Sequence, residues 1–420
     1  MSDTMSKNAI IAIIAAAVII IAAAGAYVLT QSGSDNNETA KDKTVTDSEG
    51  REVTVPKNLD KGIITVGWNV LKVLSYFDAH EKVVEVDFQE TQPIYGSLQP
   101  HYYCYDMSKM ASHEDSTMGN FSESTIESIA KKNPSLVIVT TNVYEKFQSS
   151  FDSLAKKCSV LALNLTDMSN MFYTVDASGN FTLNDSIAKS LSILGDILGE
   201  SDVDDKVVKT LNNTLADIRS KQGSDTTTLG SLAGSQMGMG PGDLNAVFPF
   251  FHPFQMANVS NAAAGYPVPP FYTLLNVETF TSTYDFDVMF YDPSFPAAIA
   301  NPDDQAVLKW MYSLQGTDDE KKVYSCLTTA LCGYEMMNVI ADAYYFEVVI
   351  GKTLTLDQME SILTKLYKDL YGDDVGSKMF NNLDKASASR GASLAVPVET
   401  GLWTELKVVL NNGVYSFAAA

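Results

Sequence analysis

Arginine is nearly missing from this chain: 420 residues contain only Arg51, Arg219 and Arg390. Guanidinium forks are the common grip on anionic chelates and phosphates, so Lys or neutral donors must take that part here. Basic charge is short throughout, with 29 Lys and Arg against 51 Asp and Glu and a net charge of −22. That balance argues against general binding to nucleic acid or anionic lipid. Cysteine is sparse as well: Cys104, Cys158, Cys326 and Cys332 form no CxxC motif and fall below the density of a small disulfide scaffold. Cys326 and Cys332 lie in a run that reads as helix, where their spacing puts them about 9 Å apart, too far for a disulfide. There is no HExxH, no GxSxG and no Cys–His constellation, so no hydrolase signature. The glycines of 234–242 lack the GK[ST] of a phosphate loop.

What is present begins with Ala9 to Leu29, an uncharged apolar run of the length, about 20 residues, that crosses a bilayer. It predicts one amino-terminal transmembrane helix, with Lys7 as the only basic residue before it and a cleavage site still open at Ala22 to Ala26. No cysteine follows the run, which excludes a bacterial-type lipid anchor. Gln31 to Lys43 is polar and aperiodic, a flexible tether. Asn-x-Ser/Thr acceptor patterns stand at Asn37, Asn120, Asn164, Asn180, Asn184, Asn212 and Asn258.

The chain is organised around Ser186 to Lys221. Ile187, Leu191, Leu194 and Leu198, then Val203, Val207, Leu211, Leu215 and Ile218, form an amphipathic stripe, either one helix or two separated at Gly199. Before it, Val45 to Pro56 alternates about Ser48-Glu49-Gly50 and predicts a hairpin. Gly62 to Gly67, Val83 to Val86, Pro134 to Thr140 and Val160 to Leu163 read as strands, with helices at Asn69 to Phe77, Glu123 to Lys132 and Val143 to Lys157. Strands alternating with helices predict a parallel sheet covered on both faces. After it, Phe286 to Tyr291 and Val323-Tyr324 read as strands, and Asp304 to Leu314, Gly333 to Val349 and Leu356 to Tyr371 as helices. Residues 226–265 and 376–420 carry no functional signal.

The hairpin with Asp47, Gly50, Arg51 and Pro56, then Thr125 to Val139, then Ser190 to Glu200 ahead of a long helix, resemble the substrate-binding proteins of ABC importers for iron complexes and cobalamin. The resemblance runs from about Val45 to about Asp373, and it departs from the family where Pro134-Ser135 replaces Pro-Asp. It implies an α/β fold of two Rossmann-like lobes with parallel sheets, joined by a rigid interlobe helix, with the ligand in the cleft between them. The expected division is 1–43 anchor and linker, 44–185 first lobe, 186–222 interlobe helix, and 223–420 second lobe with an extension. It further implies that Glu127, and Glu278 in the second lobe, dock on the permease, which works with its ATPase at the membrane.

Ligand contacts are expected at the carboxyl ends of the strands: Trp68, Tyr144, Asp292 and Ser294. The loop carrying Tyr95, His101, Tyr102, Tyr103 and Tyr105 adds aromatic faces suited to a large chelate or corrin ring. Packing beneath a long loop is the structural alternative for each of them. An iron-siderophore is the first ligand class, with cobalamin or another corrinoid and haem as alternatives. Bare zinc or manganese would need His101, His113 and His252 to converge. A surface interaction protein without a ligand is a reading from another class. An enzyme inserting metal into tetrapyrroles would need an acid–base pair, for which His101 with Glu90 is the nominee. No catalytic residue and no resident cofactor are expected.

Overall fold

Alternation decides the first element. In a computed structural model of the protein, Lys43–Thr46 (β1) pairs antiparallel with Glu52–Val55 (β2), which buries Val53 and Val55 and turns Glu52 and Thr54 to water. The structure describes residues 42–91, 97–113, 115, 121–165, 172–223, 228–229, 244–266, 273–291, 302–327, 329, 335–393 and 403–420. Asp47, fully buried, accepts from the backbone N–H of Glu49, Arg51 and Ala162 and from the Arg51 guanidinium. One carboxylate therefore both closes the hairpin turn and fastens it to the neighbouring sheet.

That sheet comes from Ile63–Val66 (β3), Val83–Val86 (β4), Ala111–Ser112 (β5), Leu136–Thr140 (β6) and Ser159–Leu163 (β7). Its order is β5-β4-β3-β6-β7, with every pair parallel. β3 and β6 are buried along their whole length, which is why they read as continuous apolar runs. Val70–Leu74 (α1), Glu123–Lys132 (α2), Thr141–Lys146 (α3) and Gln148–Leu154 (α4) connect the strands. The single helix expected over 143–157 is two, because Phe147 leaves helical geometry at φ −124° and ψ 31°.

Tyr173–Val175 (β8) and Phe181–Leu183 (β9) form a second hairpin, followed by Asp185–Leu198 (α5) and Ser201–Lys221 (α6). The stripe centred on this region is thus two helices, parted where Gly199 adopts φ 79°. Asn184 caps α5 by accepting from the Ser186 N–H. α6 buries Val207, Leu211, Leu215 and Ile218.

Thr228–Leu229 (β10), Ala246–Val247 (β11), Ser260–Asn261 (β12) and Thr273–Leu274 (β13) make two small ribbons around the helix His252–Met256 (α7). Then come Val277–Ser282 (α8), Val288–Tyr291 (β14), Pro302–Leu314 (α9), Lys322–Ser325 (β15) and Met336–Phe346 (α10), which ends in a π turn, Glu347–Gly351. Leu356–Tyr371 (α11) and Asp373–Ser393 (α12) precede Glu405–Asn411 (β16) and Val414–Ala419 (β17).

The second sheet corrects the expectation of two parallel sheets. Its order is β14-β15-β16-β17, and only β14 and β15 are parallel. β16 and β17 are joined by Asn412-Gly413, both at positive φ, a tight turn that can only return the chain antiparallel. The segment that carried no signal, 376–420, therefore supplies two of the four strands. Cys326 is not helical either: it follows β15 directly, its N–H on the Tyr291 carbonyl.

Residues 42–420 form one compact unit. Its largest core runs unbroken from Val53 to Trp403, through α1, α5, α6, α10 and α11. No helix among the described residues is long and apolar enough to cross a membrane; Ala9 to Leu29 and the tether to Lys41 lie outside them.

Candidate ligand cleft

In the first sheet, connections run outward to one side from β3 and to the other from β6, so the topology switches between these neighbours. Ligands of open α/β sheets bind outside the carboxyl ends of the strands at such a point. Here that place is formed by Gly67, Trp68 and Asn69 after β3 and by Thr140 at the end of β6. Gly67 stands at φ 91°, and a Cβ on it would meet Thr140 Oγ1 at 2.3 Å, so the two strand ends can close together only without that side chain. The Trp68 indole N–H and the Thr140 hydroxyl are both shielded from solvent and meet no hydrogen-bond partner among the described residues. Two polar groups left open at a switch point can take acceptor atoms of a bound molecule.

Beside them runs a chain of buried ionised groups. Lys72 on α1 lies 3.3 Å from Glu335 Oε2, just before α10. The same oxygen is 3.6 Å from His101 Nδ1, and His101 Nε2 is 2.8 Å from Glu90 Oε2. All four side chains are almost wholly buried. Burial alone would push the His101 imidazole down, but Glu90 and Glu335 outweigh it and hold its pKa above the ordinary value. Burial would likewise push the Glu335 carboxyl up, and Lys72 with His101 holds it down instead. Two cations alternate with two anions, so the chain is close to neutral. It also ties α1 and the turn at His101 to the start of α10, a tie reinforced where Asn338 Nδ2 donates to the Leu98 carbonyl at 2.9 Å. A cavity of about 30 Å³ lies against it, lined by Asn69, Lys72, Val73, Tyr76, Leu165, Ile187, Glu335 and Met336. A larger groove of about 750 Å³ opens at the other end of the strands, near Pro134 and Ser159. It is open, polar and remote from the switch point, and we do not assign it the ligand.

The residues expected to touch a ligand have unequal fates. Trp68 and Tyr102 are partly exposed. Tyr103 gives its hydroxyl to the carbonyls of Ser97 and Asn382, and Tyr105 gives its own to Leu71, so both rings are committed to packing the loop. Tyr144 is not at an open edge. It is 1% exposed, stacked under Arg51 and bonded to Asp152 at 2.5 Å. Tyr95, Asp292 and Ser294 lie outside the described residues, as does Cys332.

His101, His113 and His252 do not meet. His113 is sandwiched between Glu85 Oε1 at 3.5 Å and Asp87 Oδ2 at 3.9 Å, and Lys132 pairs with the other Glu85 oxygen. Burial would lower its pKa, but the two carboxylates raise it. His252 has no such partners: Tyr173 lies 3.3 Å from its Nδ1, and burial pushes its pKa down to about 4. Among the described residues no three His, Cys, Asp or Glu side chains are placed to hold a metal ion. Glu127 on α2 and Glu278 on α8 are exposed, each on the helix preceding a strand, β6 and β14. His101 and Glu90 do touch, but inside the ion chain, away from solvent.

Sequence reasoning overlooked Lys72 and Glu335. A lysine inside VLKVL and a glutamate opening a buried helix were the available signals, since a charge on an apolar face needs a partner.

A family model described as periplasmic binding protein matches residues 63–312. No curated protein matches the chain. Among solved structures it is similar to a periplasmic solute binding protein from Veillonella parvula, at 16% identity and TM-score 0.53, covering 82% of this chain and 99% of that one. It is similar to the molybdate periplasmic binding protein of a Haemophilus influenzae ABC transporter, at 17% identity and TM-score 0.52, covering 79% and 98%. A third is an ABC transporter solute binding protein from Sulfurospirillum deleyianum, at 14% identity and TM-score 0.54, covering 78% and 95%. At these identities the likeness concerns the fold.

Proposed function

Since this chain belongs to the periplasmic binding protein family, with residues 63–312 matched, we propose that it is the extracytoplasmic solute-binding component of an ABC importer. It captures a metal chelate in the cleft and delivers it to the membrane permease, by binding without chemistry. The observation that carries this reading is the pair of unfilled polar groups, Trp68 Nε1 and Thr140 Oγ1, at the switch point of the first sheet. The cleft divides lobes at 44–185 and 223–420, and α6 links them as the interlobe helix, touching α5 and β9 on one side and α10 and α11 on the other. Glu127 and Glu278 offer the permease one exposed carboxylate from each lobe. Ala9 to Leu29 holds the protein at the membrane.

An iron-siderophore is the first ligand class, and a corrinoid or haem the next. Scarce arginine and a neutral ion chain favour a chelate that presents neutral acceptor oxygens over one of high negative charge. The separate surroundings of His101, His113 and His252 speak against bare zinc or manganese.

A thermal-shift screen of the purified protein tests the reading, using ferric siderophores, cobalamin, haem, molybdate and bare divalent metals. A ligand at a hundredfold excess over its dissociation constant stabilises the folded state by about 2.7 kcal/mol. The expected result is a shift with one chelate that disappears in Trp68→Ala. No shift with any of them transfers the protein to the ligand-free interaction reading.

A further inference from the structure

The acceptor patterns for N-linked sugar have no part in the function above, and the structure separates them sharply. In four of them both the asparagine and the hydroxyl residue two positions later are described: Asn180, Asn184, Asn212 and Asn258. A glycan adds bulk and water-seeking hydroxyls, so it is compatible with a folded protein only where the amide reaches solvent.

Asn212 fails that test. It lies in the middle of α6 with its Oδ1 accepting from the Leu183 N–H at 2.7 Å, and Thr214 is 8% exposed with its hydroxyl on the Thr210 carbonyl. Asn184 fails as well. It is half-buried as the cap of α5, and its Oδ1 accepts from both the N–H and the hydroxyl of Ser186, the very hydroxyl that completes the pattern.

Asn258 and Asn180 pass. Asn258 is exposed at φ 55° where the chain turns away from α7, and Ser260 is exposed two residues on. Asn180 is exposed in the turn between β8 and β9, and Thr182 is exposed on β9. Asn180 Nδ2 donates to Asp176 Oδ2 at 2.8 Å; a substituted amide keeps one N–H, so this bond survives modification.

The two positions also flank one face. Tyr173 on β8 donates to Gln255 on α7 at 2.6 Å, Gln222 after α6 donates to the Met256 carbonyl, and Gly179 sits against the Arg219 guanidinium. Both acceptors therefore surround the carboxyl end of α6. Trp68, Thr140, Glu127 and Glu278 belong to none of these elements.

We propose that Asn180 and Asn258 carry N-linked glycans while Asn184 and Asn212 stay bare. The modification rests on the extracytoplasmic location proposed above. In the transfer, the amide Nδ2 attacks the anomeric carbon of a lipid-phosphate-linked oligosaccharide. A C–N bond forms, the C–O bond to phosphate breaks, one amide proton passes to a base of the transferase, and the lipid leaves as its phosphate or diphosphate. The face around the end of α6 is thereby kept free of protein partners.

The test is glycopeptide mass spectrometry on the full chain purified from its own cells, with surface labelling of intact cells in parallel. The expected result is sugar on the Asn180 and Asn258 peptides and none on those of Asn184 and Asn212. Thr182→Ala and Ser260→Ala, which keep both asparagines, should each remove one glycan from the intact mass. Bare Asn180 and Asn258 on a surface-labelled chain overturn the proposal and leave the location standing. Bare peptides on a chain labelled only after lysis overturn both. Sugar on Asn184 or Asn212 overturns the structural selection.

Discussion

Replacing His101 by Leu removes the central cation of the ion chain and leaves Glu90, 1% exposed, without the imidazole that it holds at 2.8 Å. Glu335 keeps Lys72 at 3.3 Å, so the injury is concentrated on Glu90. Leaving one buried charge unpaired costs about 3–5 kcal/mol, whereas replacing both members of a buried pair with apolar groups is near neutral. His101→Leu should therefore lower the unfolding free energy by about 3–5 kcal/mol, and His101→Leu with Glu90→Leu should recover at least about 2 kcal/mol of that loss. The assay is urea unfolding at pH 6, with the midpoint falling and the slope unchanged. The pH dependence supplies a second arm. His101 is held above its ordinary value, so its contribution is complete below the unfolded value of about 6.5 and is lost as pH rises through the folded one. The gap between wild type and His101→Leu should thus narrow on the alkaline side, and because it is a difference, His113 and His252 cancel from it. A single variant costing under about 1 kcal/mol, or a gap that widens toward pH 9, would refute the chain as a source of stability.

Three further outcomes follow from other parts of the fold. Gly67→Ala meets both a φ of 91° and a contact of 2.3 Å with Thr140 Oγ1, and should lower stability by more than about 1 kcal/mol in a thermal melt, with Thr140→Ala partly restoring it. Trp403→Ala empties a site that is 5% exposed and deprives Asp342 of an N–H at 3.1 Å, which should cost about 3–5 kcal/mol by urea unfolding. Glu127→Arg and Glu278→Arg are exposed changes that should leave stability within about 0.5 kcal/mol while abolishing uptake by the intact transporter; uptake at the wild-type rate would remove both from the docking surface.

The sequence made the first sheet legible because its strands are short apolar runs between helices of plain periodicity. β3, β4, β6 and β7 all fall within a residue or two of the expected positions. The second half was less legible for a physical reason. β16 and β17 are half-exposed, with Leu410 and Val414 at 45% and 47%, so their alternation is diluted by apolar residues on the water side. The signal that was there, Asn412-Gly413 between two alternating runs, is a hairpin mark in its own right. At the site, a glycine closing on a threonine and a lysine paired with a glutamate far along the chain are relations between distant residues. Residue identity alone does not carry them, which is why Trp68 and His101 were named and Thr140, Lys72 and Glu335 were not.

The carboxyl-terminal segment is the feature that most changes how the cleft is held. Without β16 and β17 the second sheet would be β14 and β15 alone, and the inward residues Leu406, Val408 and Phe417, which cover Tyr291 and Val323, would be gone. A two-stranded remnant with one apolar face open to water is marginal. On its way to that sheet the chain passes through α12, whose Asn382 carbonyl accepts from Tyr103, in the turn that carries His101. Trp403, immediately before β16, then donates to Asp342 on α10, seven residues past Glu335. The same segment thus braces both ends of the ion chain, the turn that supplies His101 and the helix that Glu335 opens. The geometry beside the cleft is set from the far end of the sequence, so substitutions at Trp403 should alter ligand affinity as well as stability, although Trp403 takes no part in lining the cavity there.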